Sequence, residues 1–141
     1  MTPPLPTPRD TLDDCVWLPR FLAKARLLLA DQLPPDYADR FGHPEGVDGC
    51  FFRFFGVTHE QMMDALRRDS TDDGFSGWFR SLPGIDEARI AAWNAFAETI
   101  GQPGQPMADR LAEVRPKMAN RFDTLLVHSI FDLIVADEAK P

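Results

Sequence analysis

The first side chains that could bind a ligand form a basic pair near the start of the chain. Arg20 and Lys24 are four residues apart, so on a helix they are neighbours on one face. Two positive charges at this spacing repel each other, and an anion between them removes the repulsion. That anion is either a carboxylate of the chain itself, in an internal salt bridge, or the carboxylate or phosphate of a bound molecule. The sequence leaves both alternatives open.

A third cation, Arg53, lies among four phenylalanines in the segment 51–55. It either takes the exposed position of an otherwise buried helix or is partly buried. A buried guanidinium needs a charged partner or an aromatic ring, because an unpaired buried charge is costly. In that second case Arg53 joins Arg20 and Lys24 in one anion site.

The segment Pro34–Gly49 has no apolar periodicity and reads as one long loop. Loops of this length within a compact domain are typical of binding loops and lids. We expect the loop to cover the anion site and to contribute Tyr37 and Asp48 to it. The predicted ligand-binding residues are therefore Arg20, Lys24, Arg53, Tyr37 and Asp48.

A separate pair, His128 and Asp132, has the chemistry of an acid/base catalyst. The two residues are four apart on a predicted final helix, where a carboxylate can orient an imidazole for general-base work. Two such side chains could also bind one metal ion, but neither His43 nor His59 has a spacing that supplies a third ligand. No metal site is predicted. The alternative is a structural role, in which a half-buried His128 only forms a hydrogen bond with Asp132 on the same helix.

Charge and composition exclude several classes of function. The chain of 141 residues has a net charge of −7 and no basic run, so it lacks the cations that nucleic-acid binding requires. It has no glycine-rich phosphate loop, so no nucleotide cofactor is predicted. Two cysteines without a metal-binding spacing, no signal peptide and no long apolar run predict a cytoplasmic protein that does not bind membranes.

Helices must position all of these side chains. Apolar residues recur at helical spacing along most of the chain, and no alternating segment bounded by turns indicates a strand. We therefore predict an all-α fold: a single compact domain of six or seven helices with one long loop. The predicted divisions are a flexible proline-rich tail over residues 1–9, the helical domain over 10–137 and a short tail over 138–141.

The sequence predicts some helix boundaries more clearly than others. Thr58 and Gln61 form a capping box, and Asp86 is placed to cap a later helix. The first helix is predicted to run from Trp17 to Leu33. The last is predicted to carry an apolar face of four residues, Leu126, Ile130, Leu133 and Ile134.

Several short motifs resemble those of a bacterial family of unknown function. Leu18-Pro19-Arg20 followed by Lys24-Ala25-Arg26 is similar to the opening signature of the domain of unknown function family five-zero-six-nine, with Ala23 where that family has Asp. The steps Phe54-Phe55-Gly56-Val57 and Ile90-Ala91-Ala92-Trp93-Asn94, and the position of Trp78, also fit its pattern. The resemblance covers roughly residues 7–134. It implies no activity, because the family is uncharacterised.

Three hypotheses about function follow. The first is a helical domain that binds a small anionic or aromatic molecule through Arg20, Lys24 and Arg53. The second is a cofactor-free enzyme that uses His128 and Asp132 as an acid/base pair. The third is an interaction module or homodimer with an exposed aromatic face. Whether His128 and the Arg20/Lys24 pair reach one cavity separates the first hypothesis from the second.

Overall fold

The computed structural model describes residues 5–139, and within this range the chain is mainly α-helical. Eight α-helices follow a two-stranded antiparallel hairpin. The prediction of an all-α single compact domain is confirmed, with one helix more than the upper count. In chain order the elements are β1 Thr11–Leu12, β2 Cys15–Val16, α1 Leu18–Leu29, α2 Pro35–Ala38, α3 Val47–Phe55, α4 His59–Arg68, α5 Asp72–Ser81, α6 Glu87–Ala97, α7 Ala108–Val114 and α8 Ile130–Glu138, with short 3₁₀ helices at Arg115–Met118 and Thr124–Leu126. Across the described residues no helix has the length and apolarity needed to cross a membrane.

Both predicted helix starts are confirmed. The Thr58 hydroxyl accepts the Gln61 backbone N–H at 3.0 Å, and the Gln61 side chain accepts the Thr58 N–H at 2.8 Å. At the start of α6, the Asp86 carboxylate accepts the Arg89 N–H at 2.8 Å. These side chains satisfy backbone donors that have no partner within the helix, which is why their sequence signature is reliable.

Helix ends are less well predicted than helix starts. Helix α1 ends at Leu29 rather than Leu33, because the chain turns through a left-handed residue, Asp31, with φ of 57°. The prediction that Leu126 lies on the apolar face of the last helix is wrong. Leu126 belongs to a separate 3₁₀ turn and is 72% exposed, and α8 begins at Ile130 after a Ser129 cap.

The segment Pro34–Gly49 is not a single structureless loop. Helix α2 lies within it, and α3 begins at Val47, so only residues 39–46 connect two helices. Pro35 occupies the first turn of α2, where its missing N–H costs no hydrogen bond. Tyr37 and Asp48 of this segment are therefore held on short helices rather than on a mobile lid.

The sequence does not indicate the β-hairpin. Its strands have two residues each, and Asp13 and Asp14 connect them with φ of 57° and 63°. Two consecutive positive φ angles are typical of a type I′ turn. Two side chains of helix α6 hold the hairpin. The Trp93 indole N–H donates to the Val16 carbonyl at 3.0 Å. The Asn94 side-chain oxygen accepts the Val16 N–H, and its amide N–H donates to the Asp14 carbonyl.

Aromatic side chains fill the core between α3, α5 and α6. The indole of Trp93 is fully buried, and the ring of Phe51 meets it edge-on at 5.2 Å. Phe51 also stacks against Phe79 at 5.9 Å. These contacts turn Phe51 and Phe79 inward and fix α3, which carries residues of the site described below on its first turn.

Both ends of the described chain pack against the helices. The predicted flexible tail falls partly on residues 1–4, which lie outside the described residues. Residues 5–9 differ from that prediction, since Arg9 forms ion pairs with Glu98 and Asp132. At the other end, Glu138 was assigned to a short tail, but it is the last residue of α8 and pairs with Arg20.

The Asn94 contacts give a test of the hairpin attachment. We expect Asn94→Ala to lower the free energy of unfolding by about 1–3 kcal/mol, because it leaves the Val16 N–H and the Asp14 carbonyl without their partner. Urea denaturation measures the change. The control is Asn120→Ala at an exposed position, expected to change stability by less than about 0.5 kcal/mol. Equal losses in the two variants would contradict the attachment.

Candidate functional site

A cavity of about 240 Å³ lies where α1, α2 and α3 meet α7 and α8. Its lining combines charged and apolar side chains. The charged ones are four cations, Arg20, Lys24, Arg40 and Arg110, and three carboxylates, Asp36, Asp48 and Asp137. The apolar ones come mainly from the last third of the chain, with Met107, Val114, Met118, Ile130, Leu133 and Ile134.

Arg20 lies in the first turn of α1 and is 2% exposed. Its guanidinium forms a two-pronged ion pair with the Glu138 carboxylate, and one nitrogen also donates to the Pro6 carbonyl at 3.1 Å. The internal salt bridge is therefore the correct alternative for Arg20. It ties the start of α1 to the end of α8 and closes one side of the cavity.

Lys24 differs from Arg20, although both line the same cavity. It is 7% exposed, and among the described residues no carboxylate lies within salt-bridge distance of its ammonium. The Nζ atom is 5.1 Å from the centre of the Tyr37 ring and 5.7 Å from that of Trp17. Aromatic faces attract a cation, but they supply less than a paired carboxylate.

Burial and charge lower the pKa of Lys24 to about 8. Removal of the ammonium from water is the larger cause, and the positive charge of Arg20 acts in the same direction. Asp48 and Glu138 oppose the shift, and Arg40 adds to it. The surroundings of Lys24 thus disfavour its positive charge, and a bound anion would offset this free-energy cost.

Two further cations at the cavity were missed in the sequence. Arg40 lies in the connection after α2, and Arg110 lies on α7. Neither guanidinium forms a salt bridge within the described residues. Burial lowers the pKa of Arg40, and so does the positive charge of Arg110. The signal for Arg110 was its spacing, since it lies three residues after Met107 and four before Val114 on the cavity-facing side of α7.

Asp48 holds this corner of the structure together. Its carboxylate is 4% exposed and accepts the Trp17 indole N–H at 2.7 Å and the Gly42 backbone N–H at 2.7 Å. Gly42 has φ of 71°, a conformation that suits glycine, and an added Cβ there would collide with the His59 ring. Asp48 therefore lines the cavity as predicted, but each of its oxygens already has a donor.

Tyr37 also lies in the predicted place. Its hydroxyl donates to Glu138 across a long 3.5 Å contact, and its ring flanks Lys24. Burial raises the pKa of the Tyr37 hydroxyl, and the Glu138 charge adds to the effect. The phenol therefore stays protonated near neutral pH and can donate a hydrogen bond into the cavity.

Arg53 is not part of this cavity. It is exposed, and its guanidinium donates to the Pro44 carbonyl at 2.7 Å and contacts the Cys50 sulfur at 3.7 Å. The four surrounding phenylalanines belong to the core, whereas Arg53 takes the outward position of α3. The structure thus brings together four of the five predicted ligand-binding residues and leaves Arg53 outside.

His128 and Asp132 do not share a helix. His128 precedes the Ser129 cap of α8 and is exposed, and only its backbone N–H reaches the Asp132 carboxylate, at 2.9 Å. The other Asp132 oxygen accepts Arg9 at 2.8 Å. The His128 side chain lines a different depression, beside Gly101–Gly104. His128 and Lys24 therefore do not reach one cavity, and within residues 5–139 no cluster of metal-ligating side chains was found.

The exposed aromatic face of the third hypothesis has no counterpart in residues 5–139. Every Trp, Phe and Tyr of that range is buried or half-buried. The large apolar side chains that reach solvent are aliphatic: Leu28, Leu29, Leu125, Leu126 and Val135. Homodimerisation stays a prediction.

The depressed pKa of Lys24 predicts how stability depends on pH. The unfolded chain binds this proton more tightly, so the charge destabilises the fold below about pH 8, and the loss disappears as pH rises towards 10.5. We expect Lys24→Met to be more stable than the natural chain at neutral pH by up to about 3 kcal/mol. The difference should shrink above pH 8.

Urea denaturation of both proteins at several pH values measures this difference, and Tyr37 and the other titrating groups cancel in the comparison. Lys117→Met at an exposed, ion-paired position is the control. At neutral pH, Lys24→Met could lose as much stability as this control, or more. That result would contradict the assignment of Lys24 as an uncompensated charge.

Comparison with known proteins assigns the chain to a family. None of the curated proteins compared with it matches. A family model described as Domain of unknown function (DUF5069) matches residues 2–140, nearly the whole chain. The match agrees with the resemblance carried by the Leu18-Pro19-Arg20 and Phe54-Phe55-Gly56-Val57 steps. The chain belongs to the DUF5069 family.

Proposed function

We infer that this protein binds a small molecule with an anionic group and an apolar or aromatic body, in the cavity between α1 and α8. The observation that carries the proposal is Lys24, an ammonium that is 93% buried, faces the cavity and has no carboxylate partner among the described residues. A cation in that position costs stability unless an anion joins it. Buried charged side chains without a partner are found chiefly at functional sites.

Arg40 and Arg110 extend the anion site towards solvent. Their guanidiniums come close enough for the charge of one to lower the pKa of the other, and neither is neutralised by a salt bridge in residues 5–139. Two such guanidiniums suit a carboxylate or a phosphate, whose oxygens accept charge-assisted hydrogen bonds. Arg20, already neutralised by Glu138, positions the cavity wall rather than the ligand.

The apolar part of the lining sets the rest of the ligand. Six aliphatic and thioether side chains from the two ends of α7, the following 3₁₀ turn and α8 line the cavity. Methionines at two of these positions, Met107 and Met118, can adapt to different shapes. A volume of about 240 Å³ is below the roughly 300–1,000 Å³ usual for drug-sized ligands, so a small metabolite fits better than a nucleotide.

The charge of the whole chain agrees with a small ligand. A net charge of −7 opposes the approach of nucleic acid, whereas the local cations at the cavity attract a single anionic group. The acid/base hypothesis receives no comparable support, because the imidazole of His128 makes no contact with the Asp132 carboxylate and lines another depression.

Calorimetric titration with phenylacetate, benzoate and phenyl phosphate tests the proposal, with phenylacetamide as the neutral analogue. We expect at least one anion to bind and phenylacetamide to bind at least about tenfold more weakly, since a charge-assisted hydrogen bond contributes about 1.5–3 kcal/mol. Arg110→Gln should weaken binding of the anion by about tenfold or more, and added salt should weaken it in the natural chain.

The control variant is Arg68→Gln, which removes the same charge from an exposed site on α4 that bonds only its own helix. It should bind the anion as the natural chain does. Equal affinity for phenylacetate and phenylacetamide, or an Arg110→Gln protein that binds as well as Arg68→Gln, would overturn the proposal.

A further inference from the structure

We propose that Lys24 is a nucleophilic amine that forms a reversible Schiff base with a small oxo acid, whose carboxylate is held by Arg40 and Arg110. This inference rests on the proposed function and names the ligand class for the same cavity. It requires an amine that is deprotonated at moderate pH, a site that excludes water and a second group that holds the acid.

The surroundings of Lys24 weaken its hold on the proton. The side chain leaves water almost completely. The Tyr37 and Trp17 rings, 5.1 and 5.7 Å from Nζ, attract the ammonium but replace its hydration only in part. Arg20, one turn earlier on α1, places a second positive charge beside it. Desolvation and a neighbouring cation are the two means by which proteins activate a lysine towards carbonyl groups. The pKa of about 8 follows from both.

The charged groups that line the cavity with Lys24 come from several elements and include Asp36, Arg110 and Asp137. Arg20 and Arg40 disfavour its proton, and Asp48 and Glu138 favour it. The two acids are engaged elsewhere, since Asp48 accepts Trp17 and Gly42 and Glu138 accepts Arg20. Neither lies within salt-bridge distance of the amine, so neither fixes it as an ammonium.

An anion bound by Lys24 alone would meet only the protonated form of its amine. Lys117, by contrast, is exposed and pairs with Glu113 at 3.6 Å. Lys24 has the opposite placement, whereas Arg40 and Arg110 in the same cavity remain charged at any physiological pH. The arginines therefore suit the carboxylate, and the lysine suits the carbonyl.

The reaction balances without any other reagent. The ammonium first releases one proton to solvent, and the nitrogen lone pair attacks the carbonyl carbon to give a carbinolamine. The former carbonyl oxygen takes up two protons in all and leaves as water while the C=N bond forms. The imine nitrogen then takes a proton from solvent.

Reductive trapping tests the proposal on the full chain. The protein is incubated with phenylpyruvate and sodium cyanoborohydride, and peptide mass spectrometry locates the modified amine. We expect the adduct on Lys24 to form at least about tenfold faster than on Lys117 near pH 8, because a large fraction of Lys24 is neutral at its pKa of about 8 and the cavity holds the oxo acid beside it. Lys24→Arg should lose this adduct, and Lys117→Arg should keep it.

Further arms separate this proposal from simple binding. Arg110→Gln should slow the trapping of phenylpyruvate but not of phenylacetaldehyde, which has no carboxylate. An adduct spread over exposed amines, or none on Lys24 in the natural chain, would overturn the Schiff base, and this readout does not depend on any variant folding. If phenyllactate, the hydroxy acid, still binds in a calorimeter, the proposed function survives that failure. If neither phenyllactate nor phenylpyruvate binds or reacts, both proposals fail.

Discussion

The arrangement of side chains around the cavity depends on Lys24, whose ammonium is almost buried and has no carboxylate within salt-bridge distance in residues 5–139. Lys24 lies on the inner face of α1, and its neighbours are two aromatic rings and a second cation rather than a carboxylate. Such a placement is stable only if the surroundings are rigid enough to prevent the side chain from leaving, because the exposed rotamers of a lysine are numerous and well hydrated. Two acidic residues provide this rigidity, although neither pairs with Lys24 itself.

Asp48 and Glu138 act as the two clamps of the site. Asp48, on the first turn of α3, joins the residue before α1 to the connection after α2 through its bonds to Trp17 and Gly42. Glu138 joins the last turn of α8 to Arg20 at the start of α1. Segments distant in sequence therefore meet around Lys24, while the carboxylates of Asp48 and Glu138 are committed to other donors.

The sequence predicts best those features that local chemistry determines. The Thr58 capping box and the Asp86 cap satisfy backbone donors within four residues, so their signatures are readable without knowledge of the fold. The type I′ hairpin was missed because its two-residue strands are too short for a periodic pattern and depend on tertiary bonds from α6. Helix α8 was extended too far back because Leu126 matched its spacing, although the Ser129 cap starts the helix later.

The site was predicted in part for a similar reason. The i, i+4 spacing of Arg20 and Lys24 was visible, but which of them would receive a carboxylate was decided by Glu138, more than a hundred residues away. Arg53 was attractive because of its four aromatic neighbours, yet helical geometry turned it outward. Arg40 and Arg110 are ordinary surface cations in the sequence, and only the meeting of the α2 connection with α7 makes them one group.

The charge state of Lys24 is the central claim, and a single spectroscopic titration measures it. The chain has three lysines, so ¹³C labelling of their ε carbons gives a spectrum in which each can be assigned by substitution to Arg. We expect Lys24 to titrate near pH 8 in the free protein and saturating phenylacetate to raise this pKa, because an anion favours the ammonium. A Lys24 pKa near 10.5 that phenylacetate does not change would contradict it.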